Sequence, residues 1–140
     1  MSRAADTRGT QRSNVEALEE IYARWGQGEW DFVPDIYATD FEWGWSPDFP
    51  GLAGVYRDTE TPNPRLRAWL SPWERWICDV EDYIERGDWV IVLTHYRGRG
   101  KGSGVDVDVL GAHVWRMRDG QAVRLEVFAD RQAALDSVRA

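Results

Sequence analysis

Cysteine is almost missing from this chain: Cys78 stands alone. No intramolecular disulfide is available, and a reducing, cytoplasmic setting is the expected home. Histidine is nearly as scarce. His95 and His113 are the only two, with no His-x-x-x-His or Cys-x-x-Cys spacing, so no metal site is expected. Long hydrophobic runs are lacking too; none approaches the ~18 residues of a membrane-spanning helix. The polar opening carries Arg3, Arg8 and Arg12 without the apolar stretch of a secretory leader, and residues 1–13 read as a flexible tail before one domain over 14–140. Positive charge is in deficit, with 17 basic against 24 acidic residues and a net charge of −7. That balance is the wrong sign for neutralising phosphates, so neither nucleic acid nor a membrane surface is an expected partner. The densest basic stretch, Arg97-Gly98-Arg99-Gly100-Lys101, reads as a solvated hairpin tip. Residues 98–104 lack the Gly-Lys-Ser/Thr of a phosphate loop, and Ser46, Ser71 and Ser103 sit in no nucleophile motif.

What the chain does have is tryptophan, nine in 140 residues. Tryptophan buries a large rigid area and keeps one N–H donor, so it serves cores and ligand pockets alike. A chain of this length buries roughly 68–70% of its unfolded surface and needs no metal or disulfide to hold a core.

Local signals order the elements. Ser13-Asn14-Val15-Glu16 is a capping box, after which Val15, Leu18, Ile21, Tyr22 and Trp25 share one helical face until Gly26. A short helix is expected over residues 30–37, with Pro34 in its first turn. Residues 40–45 alternate polar and aromatic, as a half-buried strand does. Residues 46–64, which hold Pro47, Pro50, Pro62 and Pro64, read as a long loop. Leu66, Trp69, Leu70, Trp73 and Trp76 fall at helical spacing, which predicts a helix over 65–76. Four extended segments follow at 79–85, 89–97, 105–118 and 121–130, then a closing helix at 131–138. Helices gathered against an antiparallel meander make an α+β fold.

Asp119-Gly120 is the strongest hairpin signal in the chain. A two-residue loop there places His113 opposite Glu126 and Trp115 opposite Arg124. One face then carries Val105, Val107, Val109, His113, Trp115, Met117, Arg124, Glu126, Phe128 and Asp130. The other carries an apolar strip of Leu110, Ala112, Val114, Leu125 and Val127. The first face is expected inside, lining a pocket in which a carboxylate orients a histidine for acid–base work. The same pair would also serve as a plain cross-strand contact.

Three stretches carry a family resemblance. They are Asp40-Phe41-Glu42-Trp43, the hairpin from Trp115 through Arg118-Asp119-Gly120 to Phe128, and Ala129-Asp130-Arg131-Gln132-Ala133-Ala134-Leu135. Together they resemble the SnoaL-like branch of the nuclear-transport-factor-2-like superfamily, over residues 14–136. The resemblance implies a cone: a curved antiparallel sheet wrapped around N-terminal helices, cystatin-like, with a central pocket, dimerising through the outer sheet face. Polyketide cyclases, ketosteroid isomerase, scytalone dehydratase and limonene-epoxide hydrolase share that fold. In the cyclases an acid–base group on the last strand works with a histidine on its neighbour, and Glu126 or Asp130 with His113 matches by position. The epoxide-hydrolase set of two aspartates and an arginine is met only by Asp130 and Arg124, and Tyr22 stands where an isomerase would use its tyrosine.

The expectation is therefore a cofactor-free cyclase, isomerase or dehydratase acting on a hydrophobic cyclic or polyketide-like substrate. His113, Glu126 and Asp130 would be catalytic, and Tyr22, Trp25, Trp43, Trp115, Arg124 and Phe128 would bind substrate. The alternatives are a non-catalytic ligand-binding module and a dimeric accessory protein that works through its outer strip.

Overall fold

The computed structural model describes residues 13–29, 35–45, 54–56 and 70–138. The expected tail, apart from Ser13, lies outside them, as do residues 30–34, most of the 46–64 loop and residues 65–69. Helix α1 spans Asn14–Gly26. Its capping box forms as the sequence dictates: the Ser13 hydroxyl accepts from the Glu16 amide at 3.1 Å, and the Glu16 carboxylate accepts from the Ser13 amide at 2.9 Å. Beyond Gly26 the chain reverses through Gly28 at φ 85°, letting the Glu29 amide donate to the Arg24 carbonyl at 3.0 Å.

Six strands follow: β1 (Tyr37–Trp45), β2 (Gly54–Tyr56), β3 (Trp73–Arg86), β4 (Trp89–Gly100), β5 (Asp106–Arg118) and β6 (Gln121–Phe128). Helix α2 (Arg131–Ser137) closes the chain. The strands form one open, curved sheet in the order β2-β1-β6-β5-β4-β3, antiparallel except where β1 runs parallel to β6. The α+β architecture is the expected one. Three local expectations are corrected. Tyr37 begins a strand rather than ending a helix, residues 54–56 are strand within the supposed loop, and Trp73 and Trp76 lie in β3 rather than in a helix.

The turn after β5 is as expected, with Asp119 at φ 53° and Gly120 at φ 79°, the two left-handed residues of a type I′ loop. The register is not. Arg118 pairs with Gln121 and Met117 with Ala122, but Arg116 pairs with Arg124, so Val123 is an extra, bulged residue. Beyond it every β6 side chain changes face. His113 therefore sits opposite Val127, and Glu126 opposite Val114.

The sheet buries both faces. Against its concave face α1 lays Leu18, Ile21, Tyr22 and Trp25 over Phe41, Trp43, Val90, Val92, Trp115 and Leu125, forming the main core. On the convex face α2 packs Ala134 over Ile91, Ala112, Val114 and Phe128. The apolar outer strip is thus corrected in two ways: Leu125 and Val127 belong to the concave core, and Ala112 and Val114 lie within the cluster that α2 joins. Leu110 remains 51% exposed, and Val105, expected inside, is 59% exposed. Among the described residues no helix is long and apolar enough to cross a membrane.

Candidate functional site

His113 occupies the concave face of β5, buried beneath α1. Its Nδ1 lies 2.5 Å from the Tyr22 hydroxyl, and its Nε2 is hydrogen-bonded to the Tyr96 hydroxyl. Trp115, two residues along the same strand face, donates its indole N–H to the Tyr22 oxygen at 2.9 Å. The four side chains make one chain of contacts: Trp115, Tyr22, His113, Tyr96. Aromatic rings enclose it. Trp25 meets Tyr22 edge-on at 5.0 Å, Trp43 lies 6.2 Å from Trp25, and Trp76 stacks on Tyr96 at 5.3 Å.

Each member is placed by a distinct local cause. Tyr22 and Trp25 share the core stripe of α1 with Leu18 and Ile21. His113 and Trp115 point inward together because strand side chains repeat every two residues. Tyr96 needs help, since in the β4–β5 register it pairs with Val109 and stands four residues along β4 from His113's own partner Val92. It reaches back over Gly111, where an added methyl would stand 3.0 Å from the Tyr96 ring and 2.7 Å from the Phe128 carbonyl oxygen. A glycine inside a strand often marks such a close approach.

Burial decides the charge state. Desolvation lowers the His113 pKa to about 3, so the imidazole is neutral. Burial likewise raises Tyr22 and Tyr96 well above the ordinary phenol value, with Cys78 adding to both. The thiol of Cys78 is itself pushed up to about 12, again mainly by burial. A neutral histidine carries one ring N–H. Counting protons, the indole N–H, that ring N–H and two phenolic O–H groups make four donors for three contacts. Whichever tautomer His113 adopts, one tyrosine proton is left to give: Tyr96's when Nε2 is protonated, Tyr22's when Nδ1 is.

Two more polar atoms of this interior have no hydrogen-bond partner: the Tyr37 hydroxyl and the Trp43 indole nitrogen. A buried unsatisfied polar group is costly and calls for an explanation.

The structure gathers Tyr22, Trp25, Trp43, Trp115 and His113 in one interior and separates the other four candidates from it. Past the Val123 bulge, Arg124 and Glu126 lie on the convex face, where Arg124 sits 3.5 Å from Glu42 and 3.6 Å from Glu126. Phe128 joins the α2 cluster. Asp130 caps α2, its carboxylate accepting from the Gln132 and Ala133 amides at 2.8 and 3.4 Å. Among the described residues the buried polar or charged side chains are Thr94 and His113, so no carboxylate shares the interior with the histidine. Tyr96 is the member that sequence reasoning missed; the strand-interior Gly111 was the available signal. Among the described residues no group of three or more histidine, cysteine or carboxylate side chains is placed to hold a metal ion.

The family model of the SnoaL-like domain matches residues 18–125. Among solved structures, an NTF2-like protein from Burkholderia thailandensis is similar at 24% identity and TM-score 0.75, covering 93% of this chain and all of that one. TerC, crystallised with polyporic acid, is similar at 23% identity and TM-score 0.69, covering 89% of this chain and 96% of its own. A Catenulispora acidiphila protein with a ketosteroid isomerase-like fold is similar at 14% identity and TM-score 0.63, covering 90% and 92%. These structural likenesses speak to fold alone. No curated protein matches the chain. The match over most of its length, on the fold described above, shows that the chain belongs to the SnoaL-like domain family.

Proposed function

We propose that the protein binds an apolar, ring-bearing small molecule through a carbonyl oxygen in the aromatic interior around His113, and acts on it by cofactor-free acid–base chemistry. The observation that carries this reading is the surplus hydroxyl proton of the Tyr22–His113–Tyr96 chain. A hydrogen-bond donor left over in a dry aromatic setting is a fixed contact for a ligand oxygen, and an apolar site with a few convergent polar groups is how small-molecule sites are built. The unpartnered Tyr37 and Trp43 atoms point the same way. That TerC, similar in fold, was crystallised with polyporic acid supports an organic ligand of this kind.

Titration with 2-tetralone and with tetralin, the same skeleton without the oxygen, tests it. Tetralone should quench tryptophan fluorescence saturably and bind about 2- to 10-fold tighter than tetralin, the worth of one net hydrogen bond. Replacing both hydroxyl bearers, Tyr22→Phe with Tyr96→Phe, should erase that preference. Equal binding of the two probes, or none by tetralone, rejects the reading. A second reading, ligand binding without turnover, is favoured by one observation: the expected bases Glu126 and Asp130 stand outside this interior. It predicts binding of tetralone with no change in its chemistry.

A further inference from the structure

The missing carboxylate raises the question of what would accept a proton if the site does chemistry. We propose that Tyr22, His113 and Tyr96 form a reversible proton relay that interconverts a bound cyclic ketone with its enol, with no carboxylate base. This rests on the ketone-binding reading above and adds Tyr96 to the groups that touch substrate.

The starting point is the tautomer with Nδ1 protonated. Trp115 and Nδ1–H both donate to the Tyr22 oxygen, Tyr96 donates to Nε2, and the free Tyr22 O–H donates to the ketone oxygen. In the step, the C–H bond beside the carbonyl breaks. Its proton goes to the Tyr96 oxygen and its electron pair forms the C=C bond, while the carbonyl π pair moves to oxygen, which takes the Tyr22 proton. The Nδ1 proton refills Tyr22, and the former Tyr96 proton passes to Nε2. One C–H bond and one C=O π bond are exchanged for one O–H bond and one C=C π bond. The protein gains no charge and only changes the tautomer of His113. Reprotonation at a conjugated carbon, by the same steps in reverse, yields an isomeric ketone and restores the starting tautomer.

Neutrality is what makes the relay suit this interior. A free imidazolium or phenolate here would bear the full desolvation penalty, and burial sets itself against both. A concerted shift along existing contacts forms neither ion. Trp115 has a separate duty. Its N–H can only donate, so it keeps one Tyr22 lone pair occupied whichever way the chain is polarised. Gly111 leaves the path by which Tyr96 reaches Nε2.

The test follows 2-tetralone in D2O by proton NMR. Wild-type protein should speed deuterium entry beside the carbonyl by about 100-fold or more over buffer, the usual yield of positioned acid–base groups. Tyr22→Phe and Tyr96→Phe should each reduce exchange to background while tetralone still quenches tryptophan fluorescence. Binding without accelerated exchange overturns the relay and leaves the ketone-binding reading standing. Loss of exchange in only one variant also overturns it, because that tyrosine then acts without the chain. Failure of tetralone to bind overturns the ketone-binding reading, and the relay with it. Should the variants fail to fold, nitrogen NMR of His113 in the wild-type protein decides. The relay starts with Nδ1 protonated and Nε2 bare, and a ring protonated on Nε2 alone or on both nitrogens overturns it.

Discussion

Removing one oxygen from the interior gives the sharpest check on the hydrogen-bond chain. In Tyr22→Phe two buried groups lose their partner at once: the Trp115 indole N–H, 2.9 Å from the hydroxyl, and His113 Nδ1 at 2.5 Å. Tyr96→Phe strands only His113 Nε2. Leaving a buried donor or acceptor unsatisfied costs about 1–3 kcal/mol. Tyr22→Phe should therefore destabilise by about 2–6 kcal/mol, and Tyr96→Phe by about 1–3. The ring and its packing are unchanged in both, so no cavity contributes. At about 3 °C per kcal/mol for a domain of this size, the first variant should melt about 6–18 °C below wild type. Equilibrium urea unfolding, followed by far-ultraviolet circular dichroism, measures both differences. If Tyr22→Phe proves no more costly than Tyr96→Phe, Tyr22 is not the doubly used node that the geometry makes it.

Two further outcomes follow from the charges. His113 titrates near 6.5 when unfolded but at about 3 in the fold, so below pH 6.5 the unfolded chain binds a proton that the native one refuses. Stability then falls with falling pH across the window from 6.5 to 3. The loss is about 2 kcal/mol between pH 6.5 and 5, and urea titrations of His113→Gln should lack it; equal slopes in the two proteins would refute the buried neutral histidine. Asp130→Ala, in turn, removes the cap of α2 and should cost about 1 kcal/mol while leaving tetralone affinity unchanged. A binding defect larger than the stability loss would return Asp130 to the site.

Much of the fold is legible because its signals are local. Ser13 and Glu16 declare the start of α1, and the spacing of Leu18, Ile21, Tyr22 and Trp25 declares its buried stripe, so half of the site could be read directly. Asp119-Gly120 fixed where β5 ends. The other half depended on register. Knowing the turn does not give the pairing if one strand holds an extra residue, and a one-residue slip exchanges the two faces outright. Arg124, Glu126 and Phe128 were misplaced together for that single reason. The only trace of the bulge in sequence is the apolar pair Ala122-Val123, which interrupts the alternation of β6.

Bulges also explain why β3 reads as helix at its start. Trp73 pairs with Gly100 but Arg75 with Arg99, so Glu74 is unpaired, and the rings of Trp73 and Trp76 come within 4.9 Å. Farther along, Val80 pairs with Thr94 but Asp82 with Leu93, leaving Glu81 over, and both Val80 and Tyr83 pack on the main core. A strand with one residue bulged out repeats its face at i and i+3, which is the spacing of a helix turn. The extra residues in β3 are both glutamates, placed where a side chain can leave the sheet for solvent. In β6 the extra residue moves an arginine and a glutamate from the concave to the convex side. The same irregularity that defeats a period-two reading thus clears charge from the interior. That clearance leaves His113 with only tyrosine hydroxyls on its two nitrogens, and hence neutral.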